Sequence, residues 1–374
     1  MTLVLTAEEL ANMKDYKHQA DKTTMETFYV NKLLVPIEAA FPSHWSANTI
    51  TLIGQVPILL VNFYLWTHNV KFQNIDNSAF IIVAIALQWF SLFDVMDGMR
   101  ARRLKCGSPL GRIIDEALDQ VSYACVGSAI GYMLRLETPL WMCAFSLINV
   151  PFYSMEIKHT VCRHFKMIIG EIGPVELELV FTIIFGLTGS VFGIEVFDLK
   201  INYLFGTDLD SLRGYQLKHL ISGLIFILMV VFTIDNLKDA FQTNFQETFR
   251  LFIPVFVLMS FAQIGCSLPS FQQEPAVAYF LYQMVFAIVI LKLMLLNMAS
   301  RPFTQLNVQY IYPLLPIILY KCFGISDNME ILVTRSCMVI AIFEFYYSIY
   351  EISKQYIKKE NISFFSLQIQ HKRS

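Results

Sequence analysis

The chain has 374 residues, 55% hydrophobic and 16% charged, a formal net charge of -2 and a mean hydropathy of +0.51. A soluble domain carries about 25% charged residues, so this composition marks an integral membrane protein, and the near-neutral balance implies no nucleic-acid partner. Seven cysteines stand far apart with no CxxC pair, which argues against structural zinc and against a disulfide framework.

The first 46 residues precede the first apolar span, and they lack the long apolar core of a cleavable signal peptide. Ala7 to Tyr16 and Glu26 to Ala40 read as amphipathic helices lying on the membrane surface, with a soluble N-terminal cap as the other reading. Beyond them, runs of about 20 apolar residues, enough to cross the hydrocarbon core, recur about ten times. They fall near 47–67, 78–100, 111–134, 138–157, 174–196, 217–234, 249–267, 276–298, 307–324 and 329–350. The expected fold is therefore all-α: a polytopic membrane protein of about ten transmembrane helices with N-terminal amphipathic surface helices.

Basic residues predict the orientation. Arg100, Arg102, Arg103, Lys105 and Arg112 cluster after the second span, Lys158, Arg163 and Lys166 after the fourth, and Lys354, Lys358, Lys359, Lys372 and Arg373 in the tail. The opposite side holds only Lys71, Arg135, Lys200, Arg213 and Lys218. The positive-inside rule then puts both termini in the cytosol, although the arginines after span two could serve a substrate instead. A cytosolic tail leaves the sequon Asn361-Ile362-Ser363 unmodified.

Chemistry concentrates between spans two and three. Asp94 and Asp97 are three residues apart, and Asp115 and Asp119 are four apart, so each pair shares one helix face. The short turn containing Gly107-Ser108-Pro109 makes the two helices antiparallel neighbours whose acid faces can meet. Each Asp costs about 2.5–3.5 kcal/mol at the centre of a membrane helix, and mutual repulsion adds to that. Divalent metal offsets both costs, and oxygen ligands suit Mg2+, Mn2+ or Ca2+. Two ions fit between four such carboxylates. Gly98, Ala101 and Gly111 are small enough to let a substrate approach. Arg102 offers a planar fork to a phosphate oxygen.

The segment Asp94-x2-Asp97-Gly98-x2-Ala101-Arg102-x8-Gly111-x3-Asp115-x3-Asp119 matches every fixed position of the CDP-alcohol phosphotransferase signature, and the chain resembles that family. It resembles the eukaryotic choline/ethanolamine phosphotransferase branch through Asn48-x2-Thr51-Leu52-x-Gly54, Ser108-Pro109-Leu110-Gly111 and Gly173-Pro174-x-Glu176 as well. The likeness is strong to about residue 180 and weak beyond it.

The resemblance implies transfer of phosphocholine or phosphoethanolamine from CDP-choline or CDP-ethanolamine to diacylglycerol, with release of CMP. It implies two Mg2+ or Mn2+ ions on Asp94, Asp97, Asp115 and Asp119. It implies CDP contacts from Asn48, Gly98, Ala101, Arg102, Gly111 and Glu176, Asn48 having a helix cap as its other reading. The branch usually has His-Gly-Cys after the third aspartate, where this chain has Glu116-Ala117-Leu118. Glu116 and Asp119 are thus both candidates for the general base.

On this reading residues 1–46 form the membrane-surface region and 47–200 the catalytic core. Residues 201–353 add helices for lipid access and a homodimer surface, and 354–374 form the tail. The resemblance further implies an endoplasmic reticulum or Golgi membrane, whose lipids surround the protein. Glu156 and His159 at the end of span four, and Glu176 and Glu178 at the start of span five, read either as contacts to cytidine or the amino-alcohol head group or as solvated helix ends. Lys292 is expected to snorkel to the interface, Glu344 to sit in a buried pair, with Arg335 about two and a half turns away, and Lys158 and His164 to face water. The alternatives left open are another alcohol or lipid acceptor (inositol, an ether lipid), an inactive family member, and a cation transporter.

Overall fold

A computed structural model describes residues 4–15, 23–72, 75–135, 149–164, 168, 170, 172–202, 214–362 and 364. Its helices are α1 (Ala7–Asp15), α2 (Thr24–Tyr29), α3 (Val35–Ala39), α4 (Ala47–His68), α5 (Ser78–Arg103), α6 (Pro109–Leu134) and α7 (Val150–Cys162). There follow α8 (Pro174–Leu187), α9 (Leu217–Thr243), α10 (Phe245–Gly265), α11 (Pro269–Gln273), α12 (Pro275–Ala299), α13 (Ile311–Phe323) and α14 (Asp327–Glu360). The all-α membrane architecture expected from the composition is the architecture found.

Among the described residues, six helical segments are long and apolar enough to cross a membrane: Ala47–His68, Ser78–Arg103, Pro174–Phe192, Leu217–Thr243, Phe245–Gly265 and Pro275–Ala299. Each falls on an expected span. The remaining four expected spans differ in character. Helix α6 is 26 residues long but carries Arg112, Asp115, Glu116 and Asp119, and α13 has only 13 residues. Helix α14 runs to 34 residues, well past the stretch 329–350. Of the span 138–157, residues 138–148 lie outside the described residues.

Burial divides the helices into a centre and a rim. Helices α6 and α12 are buried along almost their whole length, α12 packing on α6, α7 and α14. Helices α8 and α9 stand at the rim, covering α5 and α7. Leu60, Phe63, Ile85, Val191 and Phe343 are each more than half exposed, a cost in water but the expected face toward lipid. Close approach of α4 to α5 depends on Gly54, where an added Cβ would stand 2.6 Å from Phe93 Cβ.

The N-terminal helices pack on the bundle end. Just before α1, Leu5 N donates to Gln355 Oε1 at 2.7 Å, and within α1 Asn12 Nδ2 donates to the Ala299 carbonyl at 3.3 Å. In α3, Glu38 is 2% exposed and accepts from Arg100 at 2.9 Å and Arg103 at 2.8 Å. Residues 16–22 of the expected amphipathic region lie outside the described residues.

Three expectations for polar residues are corrected, each because a distant segment supplies a partner that local pattern does not reveal. Lys158 is buried and paired with Asp239 of α9 instead of facing water. Lys292 donates to Asn307 Oδ1 at 2.8 Å and to Gln309, so it is bonded within the protein instead of snorkelling. Glu344 accepts from Gln309 at 2.6 Å and Tyr312 at 2.5 Å, while Arg335 pairs with Glu274.

Candidate active site

Local structure brings the acids together. Helix α5 ends at Leu104, where Lys105 takes a left-handed φ of 52° and Cys106 N bonds back to the Ala101 carbonyl at 3.0 Å. The chain restarts at once: Ser108 caps α6 by accepting from Gly111 N at 3.0 Å, and Pro109 fills its first turn. This tight connection sets the last turns of α5 beside the first turns of α6.

Asp94, Asp97 and Asp115 each offer an oxygen within 4.8 Å of the others. Oxygens opposite one another on a Mg2+ ion bound at about 2.1 Å are about 4.2 Å apart, so a small closing movement suits the trio to a divalent ion. The Asp94 and Asp119 carboxyls lie within hydrogen-bonding reach of one another, as do those of Asp97 and Asp115. One oxygen of Asp115 is buried without a hydrogen-bond partner. Clustered carboxylates with an unsatisfied buried oxygen fit a cation well, and any of them would ligate through oxygen.

Helix α4 supports this acid face. Thr51 Oγ1 donates to Asp97 Oδ2, Gln55 Nε2 approaches Asp119 Oδ1 at 3.5 Å, and Ser122 Oγ donates to Gln55 Oε1. Thr51 and Gln55 are functional candidates that the motif reading passed over. The signal was present in the sequence: Asn48, Thr51, Gln55 and Asn62 form a polar stripe along one face of an apolar helix.

The residues expected on the nucleotide side are placed as follows. Arg102 is exposed at the end of α5 and has no ion pair among the described residues. Its Nη1 lies 3.2 Å from where a Gly98 Cβ would stand, so the glycine makes room for the guanidinium. Arg100 and Arg103, by contrast, are committed to Glu38, and Arg100 Nε also donates to the Trp45 carbonyl at 3.1 Å. Ala101 lies one turn beyond Gly98. Asn48 stands beside Gly111, its Oδ1 3.5 Å from the position of an added Cβ, and its Nδ2 donates to the Phe364 carbonyl at 3.1 Å. Glu176 is turned elsewhere: it accepts from Gly173 N at 2.8 Å as a helix cap and from Thr23 Oγ1.

Glu116 takes part in a second buried network. Its Oε1 lies 3.6 Å from Arg112 Nε, and Arg112 Nη2 donates to Glu156 Oε1 at 2.7 Å. Glu156 Oε2 accepts from Asn297 at 2.7 Å, tying α6 to α7 and α12. The other Glu116 oxygen is buried and has no hydrogen-bond partner.

Residues 44–207 match the model of the CDP-alcohol phosphatidyltransferase family. The match spans 164 of the 374 residues. The chain is 28% identical over 207 residues to a Xenopus laevis protein named cholinephosphotransferase 1, an overlap of 53% of this chain and 50% of that one. It is 23% identical over 351 residues to a Saccharomyces cerevisiae protein of the same name, covering 86% and 85%. An uncharacterized class-I family protein of Schizosaccharomyces pombe is 22% identical over 357 residues, covering 87% and 88%. The matched segment contains all four aspartates and the whole α5–α6 turn. Membrane helices and a segment matching the CDP-alcohol phosphatidyltransferase model therefore coincide in one chain.

Proposed function

We propose that the chain transfers phosphocholine or phosphoethanolamine from a CDP-alcohol to diacylglycerol and releases CMP. The observation that carries this reading is the convergence of Asp94, Asp97 and Asp115 with Asp119 opposite, at the end of two helices that also present Arg102. The names of the relatives support choline as one donor group.

In this reading Asp94, Asp97, Asp115 and Asp119 hold two Mg2+ or Mn2+ ions. Bound there, the ions supply charge neutralisation to the pyrophosphate as it breaks. Arg102 and the N-terminal end of α6 at Gly111 orient the phosphates, the helix end favouring negative charge. Gly98 and Ala101 leave space for the nucleotide, and Asn48 lies at its edge. Glu176 would have to release Thr23 and Gly173 to reach CDP. The acceptor oxygen forms its bond to the β-phosphorus as the bond to CMP breaks. The hydroxyl proton passes to a carboxylate, either the unpartnered oxygen of Glu116 or Asp119. The protein sits in endoplasmic reticulum or Golgi membrane with both termini cytosolic, and the later helices form a homodimer surface.

The test is CMP release in microsomes without endogenous activity, given diacylglycerol and labelled CDP-choline or CDP-ethanolamine, with and without Mg2+ or Mn2+. Metal-dependent release with one donor is expected, and no release with either sinks the proposal. One observation favours a silent family member as the second reading: Glu116 stands where relatives usually have His, and it is engaged with Arg112. A silent protein would bind CDP-alcohol yet release no CMP.

A further inference from the structure

Beneath the aspartates lies an apolar cavity of about 190 Å³, enclosed by α5, α6, α7, α8 and α9. Two of these helices, α5 and α6, also carry the acid site. Along α6, Asp119, Tyr123, Val126 and Ile130 fall on one helix face, the last three lining the cavity. Along α5, Asp94, Ser91 and Leu87 do the same, with Leu87 in the wall. On the outer side the wall is α9, through Met229 and Phe232, while Leu224 and Ile227 of the same helix are more than half exposed toward lipid. The cavity thus runs from the aspartates toward the bilayer.

Its walls hold one acidic residue, Glu178, which is 6% exposed. Neither of its oxygens has a hydrogen-bond partner of ordinary geometry, although Ser91 and Tyr123 lie beside it. It is also within electrostatic reach of Asp94. A buried carboxylate whose neighbouring hydroxyls are not aligned to it is costly, and a further donor from a ligand offsets that cost. Glu176, two residues earlier, faces away from the cavity and is satisfied by Thr23 and Gly173.

We propose that Glu178 accepts the hydroxyl of the lipid acceptor and that the apolar cavity houses the start of its hydrocarbon chains. The inference rests on the transferase reading above and adds the acceptor's seat to it. The chemistry defines the ligand class. An uncharged O–H satisfies the carboxylate, and only a molecule that is apolar beyond that hydroxyl suits walls of Val126, Phe152, Met155 and Phe232. A soluble polyol such as inositol would leave most of its hydroxyls unpaired there. Donating to Glu178 in the resting complex holds the hydroxyl oxygen near Asp94 and Asp119; the O–H then turns from Glu178 to the base, which takes the proton as the oxygen bonds to the β-phosphorus and CMP leaves.

The experiment uses the full chain in nanodiscs with a diacylglycerol carrying a photoreactive group near the glycerol. Crosslinks are expected on α6 and α9 peptides that line the cavity. Glu178→Leu removes the acceptor oxygens while replacing a buried charge by an apolar side chain, a change such sites tolerate well. It should cut crosslinking and raise KM for diacylglycerol roughly tenfold, the effect of one hydrogen bond to a charged acceptor, with KM for the CDP-alcohol unchanged. Glu178→Gln keeps a carbonyl acceptor and should restore most of both signals. Met229→Trp should lower crosslinking by filling the cavity. Crosslinks elsewhere only, or a Glu178→Leu effect confined to the CDP-alcohol, would overturn the proposal. Cavity crosslinks in a protein that releases no CMP would refute the transferase reading while leaving the acceptor seat standing.

Discussion

Replacing Thr51 by Val tests whether α4 takes part in holding the aspartates. Thr51 and Asp97 are 5% and 4% exposed, and the Thr51 hydroxyl donates to Asp97 Oδ2. The substitution keeps the branched shape and removes the donor. A hydrogen bond to a charged group contributes about 1.5–3 kcal/mol, and removal of such supporting partners lowers metal affinity roughly 10–100-fold. The assay follows thermal stability of detergent-solubilised protein during Mn2+ titration, so that it does not depend on turnover. A ligand at about 100 times its Kd stabilises by about 2.7 kcal/mol, and a tenfold weaker site loses about 1.4 kcal/mol of that. The Mn2+ midpoint should therefore rise at least tenfold in Thr51→Val and stay near wild type in Thr51→Ser, which keeps the hydroxyl. An unchanged midpoint in Thr51→Val, alongside a loss in Asp97→Asn, would refute the supporting role of α4.

Other outcomes follow from the same geometry. Asp119→Asn should abolish CMP release, and a fully active mutant would remove that residue from the site. Glu116→Gln should slow turnover at least tenfold if Glu116 takes the proton, whereas an unchanged rate assigns that step to Asp119 or to water. Glu156→Leu removes Arg112's 2.7 Å partner and leaves Glu116 at 3.6 Å, so the loss should fall below the roughly 3–5 kcal/mol of a wholly unpaired buried charge. Its melting temperature should fall sharply, and the Arg112→Met/Glu156→Leu double mutant should recover part of the loss. Gly54→Ala forces a methyl to within 2.6 Å of Phe93 Cβ, and overpacking of this kind costs about 1–3 kcal/mol. A mutant as stable as wild type would show that α4 and α5 can separate without penalty.

Much of the site was legible before any coordinates because its chemistry is local. Asp94 with Asp97 and Asp115 with Asp119 reveal themselves through helical spacing, and Ser108-Pro109 announces the turn that joins them. The polar stripe of α4 was equally visible but had no meaning until its partner helix was known. Six apolar segments were readable from length and hydropathy alone, since lipid demands a continuous apolar run. Helix α6 departs from that pattern because neighbouring helices bury its charged turns.

What the sequence by itself determined is therefore the membrane class, the helical content and the four aspartates on two adjoining helices. Tertiary structure alone decided how the remaining charges are used. Of the arginines ending α5, Arg100 and Arg103 are bound to Glu38, and Arg102 is exposed beside Gly98. Of the glutamates opening α8, Glu176 caps the helix and Glu178 enters the cavity. Glu116 joins Arg112 and, through it, Glu156 of another helix. The physical reason is common to all three. A buried charge is assigned by whichever partner lies within a few ångströms in space, and beside local contacts such as Arg112 with Glu116 the deciding partners, Glu38 for Arg100, Thr23 for Glu176 and Glu156 for Arg112, come from segments tens of residues away along the chain.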